Sequence, residues 1–359
     1  MRGVLLHALL LTILTGRAYT SVWSAEWVYE DRAVRTEFLA ADGALLTQRS
    51  LTAWTWRLAP TPRAGHAVSL GIHLVLGGMV GLLAWRLGVP PVGIWAASTL
   101  WLLHPMTVEL AAYAKARADA IALGGVLIAV LAASGRWWRG GALAGMALGV
   151  LVAVGGKQAG VVVFLLVPLM IWHRRSLSPA PRWAPWWLPA VVASALLAGG
   201  VQWYGGLRAV LNADTALGIA QVTDVSWQQW GAAQAGAVGY WAVATVWPAW
   251  MTPDADIDSV STLLRASGLL LLVGAAGMAW RQRVHAPLVS LGCAWCVLGV
   301  LPRLLVQTPR GYLSAAHASV AFVGLALLAG VGLARVQAHW RTARDSGRPW
   351  WSPVSPSLL

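Results

Sequence analysis

The sequence predicts an all-α membrane protein, a polytopic bundle of about ten or eleven transmembrane helices, and three observations predict it. Of its 359 residues, 58% are hydrophobic and 11% charged, whereas a soluble domain carries about 25% charged residues to cover its surface. Apolar stretches of about 17–25 residues, enough to span a bilayer core, recur along the whole length. The arginines sit in short clusters between those stretches, as in Arg136-Trp-Trp-Arg139, His173-Arg-Arg175 and Arg281-Gln-Arg283, which is the pattern of basic loops on the inner face of a membrane.

The elements follow in chain order. Residues 3–20 read as a first, uncleaved helix with the N-terminus inside, since no small-x-small cleavage site follows. The stretch 24–66 is polar and mixed and forms a first external loop carrying short surface helices. Apolar runs at 67–85, 92–108, 119–134, 140–156 and 159–172 then cross in alternation, with turn signals at Gly88-Val-Pro-Pro91, Gly135-Arg136 and Gly155-Gly156. A basic inner loop at 173–182 leads to a run at 186–204; further runs lie at 232–250, 260–279, 286–304 and 314–334. Counting crossings from the two ends disagrees by one, so 232–250 lies flat or re-enters, or one further span exists. Residues 1–335 form a single transmembrane domain, and 336–359 form a basic cytoplasmic tail.

The net charge of +13 does not indicate nucleic acid, because the arginines form no continuous stripe. The 24 tryptophans suit membrane interfaces, where an indole buries its ring and keeps its N–H wet. Only two lysines occur, Lys115 and Lys157. Cys293 and Cys296 lie within an apolar run without further ligands, and they read as two small helix residues. No metal ligand set is assigned.

The topology sorts the carboxylates. All of the 13 acids except Asp345 fall in external loops or at external helix ends. Acids contribute little to topology, so either the outer side uses them or short basic inner loops leave them no other place. Glu30-Asp31 stands soon after the first helix; such a pair can act as general base, metal ligand or solvated loop charge. The block His104-Pro-Met-Thr-Val-Glu109, followed by Arg117-Ala-Asp119, puts ionisable groups at or near membrane depth, where they are costly and usually functional; the alternative is a self-neutralising cluster that closes a loop. Lys157-Gln158 and Arg310-Gly-Tyr312 bring two more cations to the outer side. Cations beside carboxylates at that boundary fit a ligand with a phosphate to hold and a hydroxyl to deprotonate.

The order of these motifs resembles the multi-pass GT-C glycosyltransferases, in particular the protein O-mannosyltransferase and TMTC-like group, over roughly residues 1–335. The matching positions are Tyr29-Glu30-Asp31, then His66 through His73, then His104-Pro105 with Glu109 and Arg117-Ala-Asp119. Lys157-Gln158, Tyr240 with Trp247-Pro248, and Arg310-Gly-Tyr312-Leu313 follow. The resemblance implies a GT-C-like fold and transfer of a sugar from a polyprenyl-phosphate carrier to an acceptor hydroxyl on the extracytoplasmic face. It places Asp31 as the base and Glu30 beside it, and it makes His104, Glu109, Arg117, Asp119, Lys157, Arg310 and Tyr312 substrate-binding. It implies no bound cofactor beyond the lipid-linked donor and leaves a divalent metal open. The implied location is a bacterial inner membrane, and the implied partners are the bilayer, the lipid-linked donor and other membrane subunits. The chain departs from the pattern at Glu30 (commonly Asp), Gln158 (commonly Glu) and Gly311, and no C-terminal repeat domain follows the last span. These departures admit a second reading, a catalytically inactive GT-C-like subunit of a larger membrane complex. A transporter is disfavoured because no paired inverted repeats are visible.

Overall fold

A computed structural model describes residues 2–27, 31–32, 36, 50–135, 139–177, 226–250, 260–305 and 313–346. Within them the chain is helical, with no strand. We number the α-helices in order: α1 (Arg2–Ala18), α2 (Ser50–Leu58), α3 (Pro62–Arg86), α4 (Pro91–Leu103), α5 (Val108–Ala112), α6 (Arg117–Ser134), α7 (Arg139–Gly156), α8 (Val163–Leu177), α9 (Trp227–Val246), α10 (Thr262–Gln282), α11 (Pro287–Leu305) and α12 (Ser319–Asp345). Four segments among the described residues are long and apolar enough to cross a membrane: Pro62–Arg86, Ala114–Ser134, Thr262–Gln282 and Ala315–Asp345. Shorter apolar helical stretches lie at Leu9–Ala18, Pro91–Leu103, Gly140–Gly156, Ala159–Arg174 and Pro287–Leu301. Each matches an apolar run of the sequence. The run at 186–204 lies outside the described residues, as do the residues 205–225 that bear on the miscount.

Local chemistry sets the helix ends. Thr61 caps α3, its hydroxyl accepting the Ala64 N–H at 3.3 Å, and Pro62 takes the first helical position, where no N–H is needed. At the other end Gly88 adopts a φ of +77°, and the Val89 N–H reaches back to the Ala84 carbonyl at 3.0 Å. This left-handed turn terminates α3 before Pro90-Pro91 starts α4. The last helix differs from expectation. It runs through Arg335 and Arg341 to Asp345 rather than stopping at 334, because no proline interrupts that stretch and alanines and arginines favour helix.

Small residues let the helices meet backbone to backbone. A Cβ at Gly125 of α6 would stand 2.1 Å from the Ala153 amide nitrogen of α7, and one at Gly149 would stand 2.4 Å from that of Ala129. Gly93 of α4 and Gly330 of α12 face each other similarly, each Cβ position 2.5 Å from the other's carbonyl oxygen. A Cβ at Gly268 of α10 would stand 2.5 Å from the Gly239 amide nitrogen of α9, and one at Gly324 of α12 would stand 2.7 Å from the Gly292 carbonyl oxygen of α11. Helices without polar contacts associate through such close van der Waals crossings.

Burial is uneven between the helices. In its most apolar window Ala114–Ser134 is 83% buried, whereas Thr262–Gln282 is 6% buried. Leu270, Val273 and Trp280 on α10 lie open along an otherwise apolar helix.

Candidate functional site

The polar side chains collect at one end of the bundle. The ends of α4, α7 and α9 meet the starts of α3, α6 and α12 there, with α2 and the α5–α6 connection laid across. The opposite end is lined by arginines. Arg174 there donates to the carbonyls of Ala133 and Gly135, at 3.1 and 2.8 Å, and so closes the C-terminus of α6.

Arg117 is the centre of the polar end. It opens α6 and is fully buried. Its Nε donates to the Ser69 hydroxyl at 3.1 Å, one terminal nitrogen to Thr55 at 3.3 Å, and the other to the Gly65 carbonyl at 2.8 Å. Its guanidinium carbon lies 4.9 Å from the centroid of the buried Trp56 ring, a cation–π contact strengthened by exclusion of water. Trp27 packs on Trp56 and on His66, with ring centroids 5.1 and 5.8 Å apart. His66 is buried, and neither of its ring nitrogens has a partner.

Asp31 is drawn into this centre from the first loop. Its side chain is 0% exposed, and Oδ1 accepts the Lys115 backbone N–H at 2.8 Å. Its charge acts on Arg117. Two residues on from Arg117, Asp119 is buried in the first turn of α6, and both its oxygens receive the Lys157 ammonium, at 2.8 and 2.7 Å. Lys157 follows the end of α7, and the Thr52 hydroxyl donates to the Gly156 carbonyl just before it at 3.1 Å. Asp31, Arg117, Asp119 and Lys157 therefore come from three distant segments into one cluster. Lys115 joins them, its charge interacting with those of Lys157 and Asp119.

Glu109 and His104 serve neighbouring joints of the same end. The Glu109 carboxylate accepts the Ser314 hydroxyl and the N–H groups of Ala315 and Ala316, the latter at 3.1 and 3.2 Å. It thus caps the turn that leads into α12, where a carboxylate satisfies orphan backbone donors. The His104 ring spans two helices. Its Nε2 lies 2.9 Å from the Thr245 carbonyl of α9, and its Nδ1 accepts the Met106 N–H at 3.1 Å. The same ring packs on Phe322 of α12, centroids 4.8 Å apart. His73, deeper on α3, pairs with the Leu102 carbonyl at 3.0 Å. Glu30, Arg310 and Tyr312 lie outside the described residues.

Beside His104 opens a cavity of about 580 Å³ between α9, α10, α11 and α12, within the range of small-molecule sites. Met106, Trp241, Thr245, Leu272 and Phe322 line it, as do the unlinked Cys293 and Cys296. Its wall is almost wholly apolar. His104 touches two of its lining residues, Thr245 and Phe322, which joins the cavity to the polar end.

The sequence did not disclose that Ser69, Thr55 and Trp56 would hold Arg117. A signal existed for Ser69, which sits three residues after His66 and four before His73 on one face of an apolar helix. Lys115 had a signal too, as one of only two lysines. Among the described residues no group of three or more His, Cys, Asp or Glu side chains is placed to hold a metal ion. Compared with family models, with curated proteins and with solved structures, the chain matches none.

Proposed function

We propose that the chain is a multi-pass membrane protein that transfers a sugar from a polyprenyl-phosphate carrier to an acceptor hydroxyl on the extracytoplasmic side. One observation carries this reading. Asp31, Arg117, Asp119 and Lys157, four of the positions on which the GT-C resemblance rests, gather in one cluster at one end of the bundle, and an apolar cavity adjoins that end. A lipid-linked phosphosugar has the matching form, a polar head on a long apolar tail.

The membrane half of the proposal is supported by α10. An apolar helix whose leucines lie open would expose a large hydrophobic patch to water, which soluble proteins avoid; in a bilayer the same surface is at no disadvantage. Arginines at the opposite end fit an inner face. The fold proposed is accordingly GT-C-like, in a bacterial inner membrane.

In the reaction, the acceptor hydroxyl attacks the anomeric carbon as a carboxylate takes its proton, and the bond to the lipid phosphate breaks with its electrons going to that phosphate. Asp31 is the base on this reading, with Glu30 its neighbour. Because Asp31 is enclosed against the Lys115 amide, the segment bearing it must shift for an acceptor to enter. Cations beside the leaving phosphate stabilise its charge.

The closed state of the network favours a second reading. Arg117, Asp119, Lys157 and Glu109 all bond within the protein, as they would in an inactive relative that packs as a subunit of a membrane complex. The deciding experiment is turnover of a polyprenyl-phosphate sugar by wild type and Asp31→Asn in proteoliposomes. The proposal expects turnover that the substitution abolishes. Turnover unchanged by Asp31→Asn removes Asp31 from the mechanism, and no wild-type turnover with any hexosyl donor favours the subunit.

A further inference from the structure

Trp27, in the segment between α1 and α2, is half-buried, and its ring packs on Trp56 and on His66. Gly65 makes room for it. A Cβ there would stand 2.2 Å from the tip of the Trp27 ring, so α3 offers bare backbone at that point. Trp27 also packs against the small apolar cluster of Trp56 and Ala114. Four residues further along the chain, Asp31 is held by the backbone N–H of Lys115, the neighbour of Ala114. The start of the first loop is therefore pinned at two adjacent positions of the α5–α6 connection.

The two side chains under Trp27 are polar and unsatisfied. His66 is 1% exposed and Trp56 0%. Both ring nitrogens of His66 and the indole nitrogen of Trp56 have no hydrogen-bond partner among the described residues, and His66 is the one described side chain that leaves two such atoms. Buried polar atoms are nearly always paired, and an unpaired one costs free energy. Arg117 does not answer them, since its nitrogens donate to Ser69, Thr55 and Gly65 and it has no acceptor. The unpaired set is an indole donor together with an imidazole, which in its neutral form offers one donor and one acceptor. A hydroxyl group both donates and accepts, so it fits this set. A phosphate only accepts, and it would meet the imidazole lone pair.

We propose that His66 and Trp56 form a hydroxyl-binding subsite for the sugar of the donor, and that Trp27 is the stopper that covers it. This rests on the reading of a lipid-linked sugar as substrate. The shift of Asp31 that admits an acceptor draws Trp27 away as well, because both residues are seated on the same connection. The uncovered site then offers ring faces to the C–H surface of a pyranose and nitrogens to its hydroxyls. Apolar walls with a few placed polar groups are the usual make-up of a small-molecule site. His66 and Trp56 bind the sugar in this scheme and take no part in proton transfer.

The test is binding of polyprenyl-phosphate mannose and polyprenyl-phosphate glucose to the full-length protein in detergent, each set against polyprenyl phosphate without a sugar. Wild type should bind at least one sugar-bearing lipid more tightly than the bare one. His66→Phe keeps the ring and removes both nitrogens. It should weaken that sugar-bearing lipid by about tenfold and leave the bare lipid unchanged, with an unfolding temperature no lower than wild type. Gly65→Ala puts a methyl group where the Trp27 ring lies, and by favouring the uncovered state it should tighten the sugar-bearing lipid by about two- to tenfold. The proposal is overturned if wild type shows no preference for a sugar-bearing lipid, if His66→Phe binds it as tightly as wild type or weakens both lipids equally, or if Gly65→Ala fails to tighten it. Should either variant not fold, His66→Leu or Trp27→Leu takes its place under the same criteria. Sugar-dependent binding that needs His66 without any sugar transfer would remove the transferase reading and leave this one. Sugar transfer with a donor KM unchanged in His66→Phe would do the reverse.

Discussion

The first half of the bundle, α2 to α8, and the second half, α9 to α12, solve the same packing problem in different ways. The first half closes on itself. Its α6 is buried, its helix crossings are backbone to backbone, and its charges are matched to named partners around Arg117. The second half encloses a cavity of about 580 Å³ and leaves α10 open along much of its length. Charge and this cavity lie apart: the charged groups gather around Arg117, and the cavity has almost no polarity. His104 and Glu109 tie the halves together, one through α9 and the other through α12. A ligand with a charged head and an apolar tail would need both regions, and they adjoin at one end.

The comparison is broken most directly at Lys157. Lys157→Met leaves the Asp119 carboxylate buried without its ammonium, and losing one partner of a buried pair costs about 3–5 kcal/mol. Thermal unfolding in detergent should show this drop, and Asp119→Leu added to Lys157→Met should recover much of it. If Lys157→Met is as stable as wild type, the first half is less closed than described. A smaller effect is expected at Gly125, where α6 and α7 touch. Gly125→Leu forces two backbones apart and should cost about 1–3 kcal/mol or more, measured by the same unfolding.

The joint between the halves is probed by Ser314→Ala. It removes one of the donors to Glu109 but leaves the two backbone donors in place, so the loss should be about 1 kcal/mol. Glu109→Ala removes the whole cap and should cost more than Ser314→Ala; equal losses would show that the backbone contacts contribute nothing. The smallest effect belongs to the second half. Ala275→Leu adds carbon to the wall of an existing cavity and should change stability by less than about 1 kcal/mol. A large destabilisation there would mean that the cavity is filled by packing in the folded protein.

Much of the helix pattern was legible in the sequence. The apolar runs at 67–85, 119–134 and 260–279 reappear as α3, α6 and α10, because long apolar segments bounded by glycine, proline or arginine have few other options. The extension of α12 to Asp345 was missed because hydropathy ends at 334 while helix propensity does not. The site was legible in its residue types but not in its partnerships. Arg117 stood out as a cation at the edge of an apolar run, yet its use as a clamp on Gly65, Ser69 and Thr55 depends on residues 48 to 62 positions away. Glu109 had the sequence appearance of a ligand-binding acid, and in the fold it caps a helix more than 200 residues downstream.

The sequence by itself determined the helical pattern, the clustering of arginines and the residues around which a polar centre could form. Those follow from local composition, since apolar runs form helices and charges avoid them. Tertiary structure alone decided that the two lysines would meet at Asp119, that Arg117 would be enclosed, and that an apolar cavity would open beside His104. Each of these depends on how distant helices cross, and the crossings are set by small residues whose effect appears only when two backbones approach.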